Sequence, residues 1–153
     1  MEKLRRIALI AQHNRKHDLL EWIECHYSVL IGYKLISTKP MGDLIGKVIN
    51  NKLNDTSTKN FDIIKLKSDA ITEEQQLGEM ITEGKIDLII LLIDPLQRKP
   101  QNTDIGDLLK LLLLYDVPTA CNLSTATFMI SSPIVNHLLP SVEKNNLAFI
   151  ELD

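Results

Sequence analysis

Short apolar runs alternate with amphipathic stretches along most of the chain. The runs are rich in bulky and β-branched residues, and the stretches between them repeat apolar residues three and four positions apart, which is typical of helices. The sequence therefore predicts six strands, at 5–12, 33–38, 61–67, 85–94, 117–122 and 147–152. It predicts five helices, at 14–30, 41–50, 73–84, 104–115 and 124–132. The polar stretches 51–60 and 95–103 are predicted to be loops.

This alternation of strands and helices predicts an α/β fold. Its expected form is a three-layer α/β/α domain with a mostly parallel, doubly wound central sheet. The run 85–94 is the most apolar and is predicted to be an interior strand. No repeat or linker divides the chain, so residues 1–153 are expected to form a single domain.

Two helix starts have recognisable local signals. Asn14 is the first residue of the predicted helix 14–30 and is a candidate N-cap. Thr72 is followed three positions later by Gln75, which is a capping-box pattern and predicts that a helix begins at Glu73. Glu73 and Glu74 then lie in the first turn, where carboxylates complement the helix dipole.

Charge and cysteine content narrow the class of partner. A formal net charge of -3 argues against binding to nucleic acid or to an anionic membrane surface. No stretch approaches the roughly 18 apolar residues of a membrane-spanning helix. Cys25 and Cys121 are far apart and form no CxxC pair, as expected for a reducing compartment. The sequence therefore predicts a cytoplasmic protein with no nucleic-acid or membrane partner.

Polar residues follow the predicted strands where a parallel sheet places its ligands. The carboxyl ends of such strands meet at one edge, and the crevice beyond them is the usual binding site. Lys16, Thr38 and Ser68 follow the first three strands, and lysine, hydroxyl groups and helix N-termini together hold phosphate. Glu74 and Asp94 add carboxylates, which suit proton transfer at a carbon beside a carbonyl. A small phosphorylated metabolite is the predicted ligand.

Several segments in a fixed order resemble the methylglyoxal synthase family over most of residues 5–133. The densest match runs from Gln75–Gly78 through GKID to DPL, followed by Asp104 and the run Asn122–Ala126. The resemblance implies a homo-oligomer, trimer-based and hexameric, that converts dihydroxyacetone phosphate to methylglyoxal and inorganic phosphate. It also implies a reaction without metal or cofactor, in which a carboxylate removes a proton to give an enediolate and phosphate is then eliminated.

The resemblance also implies roles for individual positions. Catalytic positions of the family correspond here to Glu74, Asp94, Asp104, Gln101 and His13. Phosphate-binding positions correspond to Lys16, Thr38, Ser68 and Gly42.

Some of these positions depart from the family pattern. The catalytic aspartate is replaced by Glu74, which is longer by one methylene, and a histidine is replaced by Gln101. The His-Asp pair after the first strand is Gln12 and His13, and Pro40 and Met41 occupy a phosphate-binding Thr-Thr.

Each candidate also has an ordinary structural role. Glu74 can serve the helix start alone, Asp94 can mark a turn with Pro95, and Asp104 can cap the next helix. Thr38 and Ser68 can hydrogen-bond loop backbone, and His13 can be a loop histidine.

Two functions therefore stay open at this point. The first is a methylglyoxal synthase-type lyase with Glu74 as the base. The alternative is a catalytically impaired module of the same fold that binds a small phosphorylated metabolite in a sensing or regulatory role.

Overall fold

A computed structural model describes residues 5–54, 61–67, 72–96 and 103–132, and of residues 103 and 104 it describes the backbone alone. The predicted strand 147–152 lies outside these ranges. The strands are β1 (Arg6–Ala11), β2 (Lys34–Thr38), β3 (Asp62–Leu66), β4 (Leu88–Leu92) and β5 (Thr119–Ala120). The α-helices are α1 (Lys16–Leu30), α2 (Lys39–Leu53), α3 (Glu73–Thr82), α4 (Thr103–Leu114) and α5 (Leu123–Ser131), and a 3₁₀ helix (His13–Arg15) precedes α1.

The described strands form one sheet in the order β3-β2-β1-β4-β5, and every neighbouring pair is parallel. The chain proceeds outward from β1 through β2 to β3 and then returns to the other side of β1 for β4. The direction of winding therefore reverses between β1 and β4, which is the switch point where such folds bind ligands. All five residues of β4 are buried, which confirms the predicted interior strand.

The helices cover both faces of the sheet. Ile7 and Leu9 of β1 belong to a core shared with α1, α2 and α5. Ala8 and Ile10 point to the opposite face and belong to a core shared with α3 and α4. The predicted three-layer, doubly wound α/β/α fold is thus confirmed, and α1 and α3 lie on opposite faces of the sheet.

Helix α2 is longer than predicted at both ends. Thr38 caps it, because its Oγ1 accepts a hydrogen bond from the Met41 backbone N–H at 3.3 Å. Pro40 fits the first turn, where its missing N–H has no helical partner to lose. The helix ends at Leu53, which is buried. The prediction of a loop over 51–60 is therefore wrong for 51–53, since burial of Leu53 extends the helix by nearly a turn.

The two predicted helix starts had different outcomes. The capping box is confirmed, because the Gln75 backbone N–H donates to Thr72 Oγ1 at 3.1 Å and the Thr72 N–H donates to Gln75 Oε1 at 3.2 Å. The prediction that Asn14 caps the first helix is wrong. The N-cap of α1 is Arg15, which makes no side-chain capping bond, and Asn14 bonds instead across the sheet to Asp94.

None of the helices in the described ranges combines the length and the apolar character needed to cross a membrane.

Candidate active site

Helix N-termini gather at the carboxyl edge of the sheet, defined here as the edge where the parallel strands end. Helices α1, α2 and α3 begin there after β1, β2 and β3, and α5 begins there after β5. Helix α4 also begins there, because β4 and β5 are parallel and α4 connects them. The positive ends of these helix dipoles favour an anionic ligand at this edge.

Asp94 is held rigidly at the switch point. It lies two residues beyond β4 and is 8% exposed. Its Oδ2 accepts a hydrogen bond from Asn14 Nδ2 at 2.8 Å, and its Oδ1 accepts one from the Leu96 backbone N–H at 3.0 Å. Its own backbone N–H donates to Gln12 Oε1. The carboxylate therefore joins the ends of β1 and β4.

Lys16 is the first residue of α1 and is half-buried at the same edge. It makes no ion pair within 4 Å with any residue that the structure describes. The neighbouring cation differs, since Arg15 donates from Nε to Asp18 at 3.1 Å and from Nη1 to the Ile93 carbonyl at 3.2 Å. An ammonium at a helix N-terminus is electrostatically unfavourable unless an anion accompanies it. Lys16 is therefore well placed to bind one.

Thr38 and Gly42 lie at the start of α2. As an acceptor from Met41, the Thr38 hydroxyl can still donate its own proton to a bound anion. Gly42 is buried beneath the Lys65 side chain, and a Cβ at this position would lie 2.9 Å from Lys65 Cγ. Close packing against β3 is sufficient reason for a glycine here.

The two acids that begin α3 point in different directions. Glu73 lies one helical turn before Leu77, which belongs to the core between α3 and the sheet. Glu74 lies one turn before Gly78, where a Cβ would come within 3.1 Å of Leu111 on α4. Glu74 accordingly lines a groove of about 520 Å³ between α3 and α4.

The Glu73 carboxylate is the one that faces the sheet. Its Oε2 is completely buried and accepts no hydrogen bond from the described residues. Burial raises the pKa of Glu73, the negative charge of Glu74 raises it further, and the positive charge of Lys16 lowers it. Lys16 and Glu73 approach from opposite faces of the sheet, and each is within electrostatic reach of the other.

The remaining predicted site residues are placed as follows. His13 is exposed in the 3₁₀ helix at the carboxyl edge. Asp104 lies in the first turn of α4, but its side chain is outside the described part of the structure, as are Ser68 and Gln101 altogether. The structure therefore brings Lys16, Thr38 and Asp94 to one edge. It places Glu74 in the groove beside α4.

Other polar residues make contacts at this edge that were not predicted. The Gln76 side chain accepts the Lys67 backbone N–H at 2.9 Å and donates to the Lys67 carbonyl, which fastens the start of α3 to the end of β3. Gln12 and Asn14 fasten Asp94 to β1. The pairing of β1 with β4 creates these contacts, and no local pattern in the sequence indicates them.

No group of three or more His, Cys, Asp or Glu side chains within the described ranges could hold a metal ion.

Comparison with known proteins gives a consistent result. The chain is 39% identical over 136 residues to the methylglyoxal synthase of Maridesulfovibrio salexigens, covering 87% of each chain. It is 38% identical over 130 residues to that of Leptospira interrogans serovar copenhageni, covering 85% of this chain and 81% of the relative. The crystal structure of methylglyoxal synthase from Elizabethkingia anophelis NUHP1 superimposes with a TM-score of 0.70 at 31% identity, covering 87% of this chain and 81% of that one. No family model matches the chain.

Proposed function

The chain belongs to the methylglyoxal synthase family, and we propose that it catalyses the conversion of dihydroxyacetone phosphate to methylglyoxal and inorganic phosphate. The observation that carries this proposal is the position of Lys16 near carboxylates at the carboxyl edge. An ammonium at a helix start with no ion-pair partner among the described residues suits the phosphate group, and a nearby carboxylate suits the proton transfer. Nothing in the described part of the chain favours the sensing module over the lyase.

The proposed reaction needs one base and one anion site. A carboxylate removes a proton from the hydroxyl-bearing carbon of the substrate, and the electron pair forms a double bond to the carbonyl carbon, giving an enediolate. The hydroxyl group on that carbon then gives up its proton, which ends on the departing phosphate, and the carbon becomes an aldehyde as the double bond shifts towards the third carbon. The bond from the third carbon to the phosphate oxygen breaks, and inorganic phosphate leaves with the electron pair. The resulting enolate takes back at carbon the proton that the carboxylate removed, which gives methylglyoxal.

The residues supply these parts as follows. The Lys16 ammonium and the Thr38 hydroxyl bind the phosphate, aided by the N-termini of α1 and α2. Pro40 has no N–H, and the Met41 N–H donates to Thr38, so α2 offers few backbone donors and Lys16 carries more of the binding. Asp94 is oriented by Asn14 and supports proton transfer at the substrate oxygens.

The other predicted site residues keep their proposed roles. Gly42 and Ser68 contribute to the phosphate site, and Asp104, Gln101 and His13 contribute to proton transfer. The base comes from the two acids that begin α3, among which the sequence resemblance favours Glu74.

We also propose that the protein acts in the cytoplasm as a trimer-based homo-oligomer. The two free cysteines suit a reducing compartment. Leu113 and Leu114 of α4 are 81% and 76% exposed, and Phe128 of α5 is 79% exposed. Apolar side chains of this exposure suit a contact between subunits. Analytical ultracentrifugation of the purified protein tests the assembly, and a monomer at micromolar concentration would contradict it.

Direct turnover tests the proposed activity. Purified protein is incubated with dihydroxyacetone phosphate, and methylglyoxal and inorganic phosphate are measured separately. We expect the wild-type protein to release the two products in equal amounts. A Lys47→Ala control should do the same, because the Lys47 side chain is exposed on α2. The Lys16→Met variant should lose most of the rate at which the two products are released. A wild-type rate no higher than that of Lys16→Met would refute the proposal.

A further inference from the structure

We propose that Asn14 is a positioning residue for the reaction. Its side-chain amide holds the Asp94 carboxylate in the orientation from which Asp94 assists proton transfer. This inference rests on the proposed function, which places Asp94 at the substrate oxygens, and it goes further by making the rate of the chemical step depend on Asn14. The sequence resemblance assigns no role to this asparagine.

Two donors of different origin fix the Asp94 carboxylate. The Leu96 backbone N–H, which bonds to Oδ1 at 3.0 Å, belongs to the same turn as Asp94. The Asn14 amide, which bonds to Oδ2 at 2.8 Å, comes from the connection between β1 and α1. The last torsion of an aspartate side chain is otherwise broad, so a donor on each oxygen defines the plane of the carboxylate. Asn14 is exposed and Asp94 is 8% exposed, so their bond lies at the border between core and solvent.

The segment that carries Asn14 is itself held against the end of β4. The Gln12 backbone N–H donates to the Leu92 carbonyl at 2.9 Å, and Gln12 Oε1 accepts from the Asp94 N–H. Arg15 Nη1 donates to the Ile93 carbonyl at 3.2 Å. Because the fold has already ordered this segment, the Asn14 amide can hold the carboxylate at little further cost in conformational entropy.

The Asn14 side chain serves Asp94 instead of its own helix. Helices α2, α3 and α5 each have a side-chain cap, from Thr38, Thr72 and Asn122 respectively. The N-cap of α1 is Arg15, which makes no side-chain capping bond, although an asparagine precedes it. The chain therefore gives up the stabilisation of a cap at α1. A strong local signal that is overridden in this way is expected at functional sites.

The same segment leads directly into the proposed phosphate site. Lys16 follows Asn14 by two residues and is the first residue of α1. A side chain that holds Asp94 from this position also limits how far the carboxylate can move relative to the ammonium. A substrate bound at both ends requires this, because a misplacement of about 1 Å can lower the rate on the order of a hundredfold.

A double-mutant cycle tests whether Asn14 acts through Asp94. Asn14→Ala removes the donor, so kcat should fall about 10- to 100-fold, whereas KM should change less than about threefold because Asn14 does not bind the phosphate. In an Asp94→Ala background the same substitution should change kcat by less than about twofold, since no carboxylate remains to be positioned. Asn14→His should recover part of the lost kcat, because the ring Nδ1 can donate from a similar place.

The matched control is Asn50→Ala, which removes an exposed amide from α2 and should keep the wild-type kcat. Three outcomes would overturn the inference. They are an equal loss of kcat in both backgrounds, a loss confined to KM, and a wild-type kcat for Asp94→Ala.

A second measurement does not depend on turnover. The side-chain amide signal of Asn14, assigned by its loss in Asn14→Ala, is followed by two-dimensional proton–nitrogen NMR. Asp94→Ala should shift this signal, since the amide loses its acceptor, whereas Asp43→Ala on α2 should leave it in place. An Asn14 signal that does not respond to Asp94→Ala would overturn the inference.

The two measurements distinguish the possible failures. If the wild-type protein releases no methylglyoxal but the Asn14 signal responds to Asp94→Ala, the proposed function fails and the positioning of Asp94 by Asn14 stands. If the wild-type protein is active and the two substitutions lower kcat independently, the proposed function stands and the role of Asn14 is overturned.

Discussion

Charged residues at the two edges of the sheet differ in the partners they have. Arg6 and Asp87 at one edge are hydrogen-bonded to the protein, whereas Lys16 and Glu73 at the other edge lack such partners in the described ranges. At the amino edge, where the strands begin, the Arg6 backbone N–H donates to Asp87 Oδ2 at 2.8 Å and Arg6 Nη2 donates to the Gly84 carbonyl at 2.8 Å. The Asp87 backbone N–H donates back to the Arg6 carbonyl at 2.9 Å. At the carboxyl edge, Lys16 has no ion-pair partner within 4 Å in the described ranges, and Glu73 Oε2 has no hydrogen-bond donor there.

This difference separates stability from function. The paired charges of the amino edge join β1, α3 and the approach to β4, so their loss should affect folding. At the carboxyl edge, Arg15 is paired with Asp18, whereas Lys16 has no ion-pair partner among the described residues and is available to a ligand. Asp94 is intermediate, because it lies at the carboxyl edge but has hydrogen-bond donors on both carboxylate oxygens. Substitutions at these positions test whether the separation holds.

The largest effect on activity among these substitutions is expected at Lys16. Lys16→Met keeps the aliphatic stem and removes the ammonium. A hydrogen bond to a charged group contributes about 1.5–3 kcal/mol, so kcat/KM should fall roughly 10- to 150-fold, and the affinity for inorganic phosphate should weaken by a similar factor. Steady-state kinetics and calorimetric titration with phosphate measure the two effects.

The same variant should leave the thermal midpoint of unfolding unchanged or slightly higher, because a cation is removed from a helix N-terminus. Lys52→Ala is the matched control, since Lys52 pairs at the surface with Glu24 at 3.4 Å, far from the carboxyl edge. A marked fall in the thermal midpoint of Lys16→Met would show that Lys16 supports the fold and would remove the contrast between the edges.

Asp94→Asn should affect both properties. The amide places a donor opposite either Asn14 Nδ2 or the Leu96 N–H, which leaves one partly buried donor without its acceptor. The free energy of unfolding should fall by about 1–3 kcal/mol. Urea denaturation measures this loss, and kcat should fall with it if the carboxylate assists proton transfer. Full activity in a destabilised variant would assign Asp94 to structure alone.

The sequence was sufficient for the fold because its signals are local. Apolar runs and helical spacing predicted every described strand and α-helix, and their alternation predicted a doubly wound parallel sheet. The failures involve contacts between distant segments. Asn14 bonds to Asp94 because β1 lies beside β4, and α2 extends to Leu53 because that side chain reaches the core.

The candidate site was partly predictable for the same reason. Lys16 and Asp94 follow strands, so a parallel sheet was expected to place them at one edge. Glu73 and Glu74 have different surroundings because of the phase of α3. Position 77 is leucine and position 78 is glycine, so the apolar row already indicated that Glu73 faces the core. That periodicity was the available signal.

Asp87→Ala should lower stability and leave activity unchanged, whereas Lys16→Met should lower activity and leave stability unchanged. The half-buried Arg6 N–H loses its acceptor, so the free energy of unfolding should fall by about 1 kcal/mol, and the thermal midpoint by a few degrees for a chain of this length. Steady-state kcat/KM should be unaffected.

The control for Asp87→Ala is Glu83→Ala, which removes an exposed ion pair with Lys85 at 2.7 Å near the same edge. Exposed pairs contribute little, so this variant should unfold almost as the wild type does. If the two variants were destabilised equally, the partly buried contacts of Asp87 would contribute no more to the free energy of unfolding than the exposed ion pair of Glu83 does.

The smallest expected effect has the most informative sign. Glu73→Gln should raise the thermal midpoint at pH 7, although a carboxylate in the first turn ordinarily stabilises a helix. Because the folded-state pKa of Glu73 lies above its usual value of 4.5, the folded protein binds a proton more readily than the unfolded chain does. The charged side chain therefore lowers stability as pH rises through and above 4.5, and the neutral amide avoids this loss. The stability difference between Glu73→Gln and wild type should vanish as pH falls below 4.5. Differential scanning calorimetry across this range measures this difference. A lower midpoint for Glu73→Gln at pH 7 would mean that the helix dipole outweighs burial, and the carboxyl edge would then hold its charges for stability, as the amino edge does.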